Sequence, residues 1–145
     1  MSDLYDTDIL LWSERQAELL HRRAAGELIN EDALDWSNLA EEIADVGRSE
    51  WRAVESHLVQ ALLHDLKAEA WPMSRDAPHW RAEARGHRDD ARRAFAPSMT
   101  QRIDVSKLYR EALRRMPETL DGLAPLPVPE ACPVTLTELL AEPEG

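Results

Sequence analysis

Apolar residues recur at helical spacing along most of the chain, and the longest unbroken run of that pattern is Asp35 to Ala70, DWSNLAEEIADVGRSEWRAVESHLVQALLHDLKAEA. At about 100° per residue, Leu39, Ile43, Val46, Val54 and Ala61 share one stripe with Glu50, His57 and His64. A carboxylate and two imidazoles therefore stand where a packed helix is ordinarily apolar. In the second half of the run Leu58, Leu62, Leu63 and Leu66 fall off that stripe, so this half is expected to be surrounded by partners. Gly47 costs about 1 kcal/mol relative to alanine in a helix interior. The periodicity on both sides of it still predicts one continuous helix.

The flanking segments read as shorter helices. Asp6 is the expected N-cap of a first helix, with Asp8 in its first turn, Ile9, Trp12, Leu19 and Leu20 along one side, and Gly26 as its stop. ELINED connects it to Asp35, the expected cap of the long helix. Trp71-Pro72 ends that helix, because the residue before proline disfavours helical dihedrals. A third, Arg-rich helix is expected from Pro78 to Ala96, with a stripe of Trp80, Ala84, Ala91 and Phe95. Ser98 and Gln101 have capping-box spacing ahead of a fourth helix carrying Ile103, Leu108, Ala112, Leu113, Met116 and Leu120, kinked or ended at Pro117. Pro125, Pro127, Pro129 and Pro133 then predict an extended strap, and Thr135 with Glu138 a capped terminal helix. The expected fold is all-α: one four-helix-bundle-like domain over 1–145, with a bundle at 1–122, a proline-rich strap at 123–134 and a short docking helix at 135–141.

Composition narrows the function classes. The net charge of −11 is concentrated in residues 1–50, where thirteen acidic face four basic side chains, while residues 75–93 are locally basic. Such a surface repels phosphate backbones, so nucleic acid is not an expected partner. No apolar run reaches the roughly 20 residues needed to span a bilayer, and the acidic start MSDLYDTD does not resemble a signal peptide. A cytoplasmic protein is expected, without a membrane. The single cysteine, Cys132, excludes an internal disulfide framework and a cysteine-rich zinc site.

Candidate chemistry is confined to a few polar residues. Glu50, His57 and His64 are spaced by seven, so consecutive members lie about 10.5 Å apart along the axis. That is too far for one ion with ligand bonds near ~2.1 Å to hold both histidines. His79, Glu83 and His87 are spaced by four on the third helix, and if that face meets His64 a mononuclear site of His64, His79, Glu83 and His87 becomes possible. The competing reading of each is a buried polar group satisfied by a neighbouring helix. Glu41, Glu42 and Asp45 are spaced to bind a hard cation, but are equally ordinary complements of a helix N-terminus.

Four stretches resemble a known family: YDTDILLW, DWSNLAEEIADVGRSE, LLHDLKAE followed by Trp80-Arg81, and EACPVTLTELL. Together they are similar to the bacterial domain-of-unknown-function family numbered 29. The resemblance implies a helical bundle without an established activity. Asp35, Asn38, Glu41, Glu42, Gly47, Arg48, Glu50, His64 and Trp80 occupy matching positions, whereas His57 lies in a stretch that matches no family motif. Three function classes follow. The leading one is a non-catalytic interaction module, a homo-oligomer or an accessory to a protein partner, favoured by five tryptophans in a small helical chain. The alternative is a metal-binding bundle with a His/Glu site. The third is a ribonuclease resembling the HEPN bundles, with His57 or His87 as acid/base. Its Arg-to-His spacing of four to six residues occurs at Arg15–His21, Arg52–His57 and Arg81–His87, which fifteen arginines and five histidines produce by chance. No nucleophile motif or phosphate-binding loop is present, and the sequence names no cofactor or reaction.

Overall fold

The structure, a computed structural model, describes residues 3–143. The fold is all-α. Among the described residues six α-helices occur and no β-strand: α1 (Asp3–Thr7), α2 (Ile9–Ala24), α3 (Trp36–Ala70), α4 (Ala77–Ala94), α5 (Val105–Arg114) and α6 (Leu136–Leu140). Helix α3 passes through Gly47 unbroken. The chain forms two compact units, Met1–Arg48 and Ser49–Gly145.

In the first unit the N-cap of α2 is Asp8, not Asp6. Asp6 falls inside the separate one-turn α1, while the Asp8 carboxylate accepts from the Leu11 N–H at 3.0 Å. Buried Gln16 donates to the Ala33 carbonyl and accepts from the Asp35 N–H, and the Trp12 indole donates to the Asp35 carboxylate. These bonds satisfy the connector's backbone where a helix cannot. The acidic trio is already engaged: Arg48 bonds Glu41 and Asp45, and the Tyr5 hydroxyl donates to Glu42 at 2.5 Å. The same carboxylate pushes the Tyr5 phenol up to about 12.

In the second unit the buried positions of α3 begin at Val54. From there Val54, Ala61 and Ala68 repeat every seven residues, and on α4 Ala77, Ala84 and Ala91 do the same; all six are buried. Three residues beyond five of these stand His57, His64 and Trp71 on the first seam, and Trp80 and His87 on the second; beyond Ala91 stands Ala94. A seam of small residues at one heptad position leaves room for rings at the other. The main core joins Val54, Leu58, Leu62 and Leu66 to Met99, Ile103, Leu108, Tyr109 and Leu139, while Trp71 and Trp80 form a smaller cluster with Ala68, Ala70 and Ala77.

Helix α5 starts at Asp104, whose carboxylate accepts from the Lys107 N–H, while Ser98 lies in a 3-10 turn at Pro97–Met99. It ends at Arg114, because Met116 precedes Pro117 and is steered out of helical dihedrals. Asp121 and Gly122, at φ 51° and 78°, form a tight turn closed by reciprocal Leu120–Leu123 backbone bonds. Residues 124–134 then run without regular structure. They are anchored where the Leu126 N–H donates to the Ala70 carbonyl and the Tyr109 hydroxyl to the Pro129 carbonyl. Thr135 and Glu138 cap α6 reciprocally, and Arg92 donates to the Leu140 and Ala141 carbonyls at its C-terminal end.

Candidate functional site: a histidine cluster between α3 and α4

Helices α3 and α4 run consecutively through a short turn, so α3 positions 57 and 64 meet α4 positions 83, 87 and 90 across the seam. His87 lies between the two α3 histidines. Its Nδ1 stands 3.2 Å from that of His57, and its ring stacks on His64 with centroids 5.8 Å apart and planes 13° apart. Two carboxylates complete the cluster. Ligand atoms of His57, His87 and Asp90 lie within 4.8 Å of one another, and so do those of His64, Glu83 and His87. Beside the rings, Arg88 donates to Asp65 at 2.5 Å and ties the helices together.

The 3.2 Å nitrogen pair admits two chemical descriptions. As a hydrogen bond it needs one ring to donate and the other to accept, so the two imidazoles take complementary tautomers. As a pair of ligands it matches a tetrahedral edge of about 3.3 Å, which bonds of ~2.0–2.1 Å produce. His64 differs from its neighbours: its Nδ1 is buried without a hydrogen-bond partner. Burial, then the charges of Lys67 and His87, hold its pKa below the ordinary imidazole value, while Glu83 opposes them. A neutral ring offers a lone pair, which is the form a metal requires.

The expected site residues separate into those brought together and those not. His57, His64, Glu83 and His87 converge. His79 does not reach the imidazoles; it is exposed and meets Glu83 at 3.7 Å. Glu50, expected to face inward, is exposed. The stripe face of α3 is not covered throughout: Ile43 and Val46 are 73% and 67% exposed, and burial begins only at Val54. A carboxylate among exposed positions keeps its hydration, so Glu50 needs no partner. Asp90 escaped the sequence reading. Its signal was the three-residue spacing after His87, which puts a carboxylate and an imidazole on one helix face as bundle ligands are placed. The tryptophans also divide: Trp12, Trp71 and Trp80 are buried, whereas Trp36 is 57% exposed.

A family model described as a domain of unknown function, DUF29, matches residues 4–143. The chain belongs to the DUF29 family. A solved structure similar to it is an alpha-helical protein of unknown function from Rhodospirillum rubrum, at 28% identity and a TM-score of 0.71, over 98% of this chain and 92% of that one. No curated protein matches. The solved structure bears out the helical fold, and DUF29 membership carries no activity with it. Among the described residues of this DUF29 chain no helix is long and apolar enough to cross a membrane.

Proposed function

We propose that this DUF29 protein binds a divalent transition metal between α3 and α4, with its donors drawn from His57, His64, Glu83, His87 and Asp90. The observation that carries the reading is two groups of three donors from consecutive helices, His57/His87/Asp90 and His64/Glu83/His87, each with its ligand atoms within 4.8 Å of one another. An imidazole and carboxylate set without thiolate suits zinc, iron, manganese or nickel. Bundle metal sites are built in this way, from Glu and His projecting off facing helices. An ion bound through Nδ1 of His64 would also remove the cost of about 1–3 kcal/mol that attends an unsatisfied buried polar atom.

The test is elemental analysis of protein purified without chelator, followed by a zinc titration with thermal unfolding as readout. Binding at a hundredfold excess over the dissociation constant stabilises by about 2.7 kcal/mol, and His87→Ala removes that gain. Absence of copurified metal together with an unchanged melting temperature in excess zinc refutes the reading.

A second reading, the non-catalytic interaction module, is favoured by a different observation. Trp36, Leu39, Ile43 and Val46 follow the alternating three-and-four spacing of a helix-pairing seam, and three of them are among the most exposed large apolar side chains. A second copy of this chain is the partner tested. Sedimentation at graded concentration should show a dimer that Ile43→Glu with Val46→Glu dissociates; a wild-type monomer at every concentration removes this reading.

A further inference from the structure

The two triads of the cluster have one residue in common, and that residue is central. His57, His87 and Asp90 form one, His64, Glu83 and His87 the other. On α3 the two histidines are seven residues apart, about 10.5 Å along the axis, so no single ion position takes both. His87 fills the interval, 3.2 Å from His57 through Nδ1 and stacked against His64. A neutral imidazole has one protonated nitrogen and one bare lone pair. It can therefore give that pair to an ion at one end of the cluster or at the other, but not to both at once.

We infer that the cluster is a two-position site for one divalent ion, with His87 as the shared ligand and His57/Asp90 or His64/Glu83 as alternative completions. This rests on the metal-binding reading and adds to it a second position and an exclusion rule. The two positions differ in surroundings. The Glu83 end has His79 and Lys67 nearby, and the Asp90 end has Arg93 at 3.7 Å from its carboxylate. An ion can pass between them by exchanging one carboxylate and one imidazole while His87 remains on the seam. The arrangement therefore suits holding and handing over an ion, with coordination positions left to water or an incoming donor, better than the closed four-ligand cage of a structural zinc site.

Two alternative positions leave a signature that one position cannot. Total affinity sums over them, so deleting either carboxylate leaves the other triad in use, while deleting both removes both. The experiment is calorimetric titration of the full chain with Zn²⁺, using wild type, Glu83→Ala, Asp90→Ala, the double variant and His87→Ala. Both carboxylates have substantially exposed side chains, and circular dichroism checks that each variant is folded. The expected result is one ion per chain in wild type and in each single variant, with affinity reduced by about twofold in both singles where the two positions are equally strong, and more in one single than in the other where they are not. The double variant and His87→Ala are expected to lose more than about 100-fold. That strong non-additivity is the mark of a shared pool of positions. Two ions per chain overturn the exclusion rule, and a single variant as severe as the double overturns the second position, in both cases with metal binding intact. Wild type that takes up no Zn²⁺ overturns the underlying reading instead.

Discussion

At the scale of single residues, His64 holds the most information. Its stripe position predicted an inward-facing ring, and the ring is half-buried with a buried, unpartnered Nδ1. Because burial lowers its folded pKa, the unfolded chain takes up a proton below about pH 6.5, the ordinary value, that the folded chain resists. The contribution is complete above that pH and is lost progressively as the pH falls from it through the lower folded value. Urea unfolding of metal-free protein should accordingly show wild type losing more stability between pH 7.5 and pH 5 than His64→Gln, which carries no ionisable ring; equal losses would show that His64 does not couple to folding. The same stripe misplaced Glu50. Periodicity reports which residues share a face of a helix, but not how far along the helix that face is covered. Asp90 was missed for a related reason, since an aspartate in an Arg-rich helix reads as a solvated charge until another helix brings imidazoles to it.

Elements were legible where a local device fixes them. The Thr135–Glu138 capping box lies at the start of α6, and Pro72 and Pro117 stand two and three residues beyond the ends of their helices. Asp8 and Asp104 displaced Asp6 and Ser98 as caps, because N-capping depends on which side-chain oxygen reaches an N–H three residues on, and several candidates stood within a few positions. The seven-residue repeat of small residues on α3 and α4 was also present in the sequence, and it would have placed His57, His64 and His87 on a common seam. What no local pattern contained is the clamp on α6. Arg92, 48 and 49 positions away, donates to the Leu140 and Ala141 carbonyls while bonded to Asp89. A five-residue helix cannot stand alone, so this clamp and buried Leu139 hold it in place. Arg92→Ala should raise amide exchange in 136–141 and cost about 1–2 kcal/mol, somewhat less than the usual value for charged hydrogen bonds because the groups are partly exposed. Exchange across 57–66 should not change; a rise there of the same size would mean that Arg92 supports the whole unit.

For the whole molecule, the all-α class followed from period alone, because no stretch alternates at two long enough to compete. The grouping into units did not follow from it, because both lie on one continuous helical pattern whose division is set by contacts distant in sequence. Every donor proposed for the metal lies within Ser49–Gly145, as do both core clusters. Local stability follows buried apolar contact, and among the described residues those before Ser49 contribute two buried apolar side chains, Trp12 and Leu34, against nineteen after it. A fragment of 49–145 should therefore unfold cooperatively and bind Zn²⁺ with an affinity within about threefold of the full chain, a difference of less than about 1 kcal/mol. The N-terminal half of α3 would be absent, and with it Trp36, Ile43 and Val46, so the fragment should remain monomeric at concentrations where the full chain dimerises. Calorimetry and sedimentation on the same sample measure the two properties separately. A folded fragment that has lost zinc would show that residues before Ser49 complete the metal site, and a fragment that still dimerises would move the pairing surface out of the first half of α3.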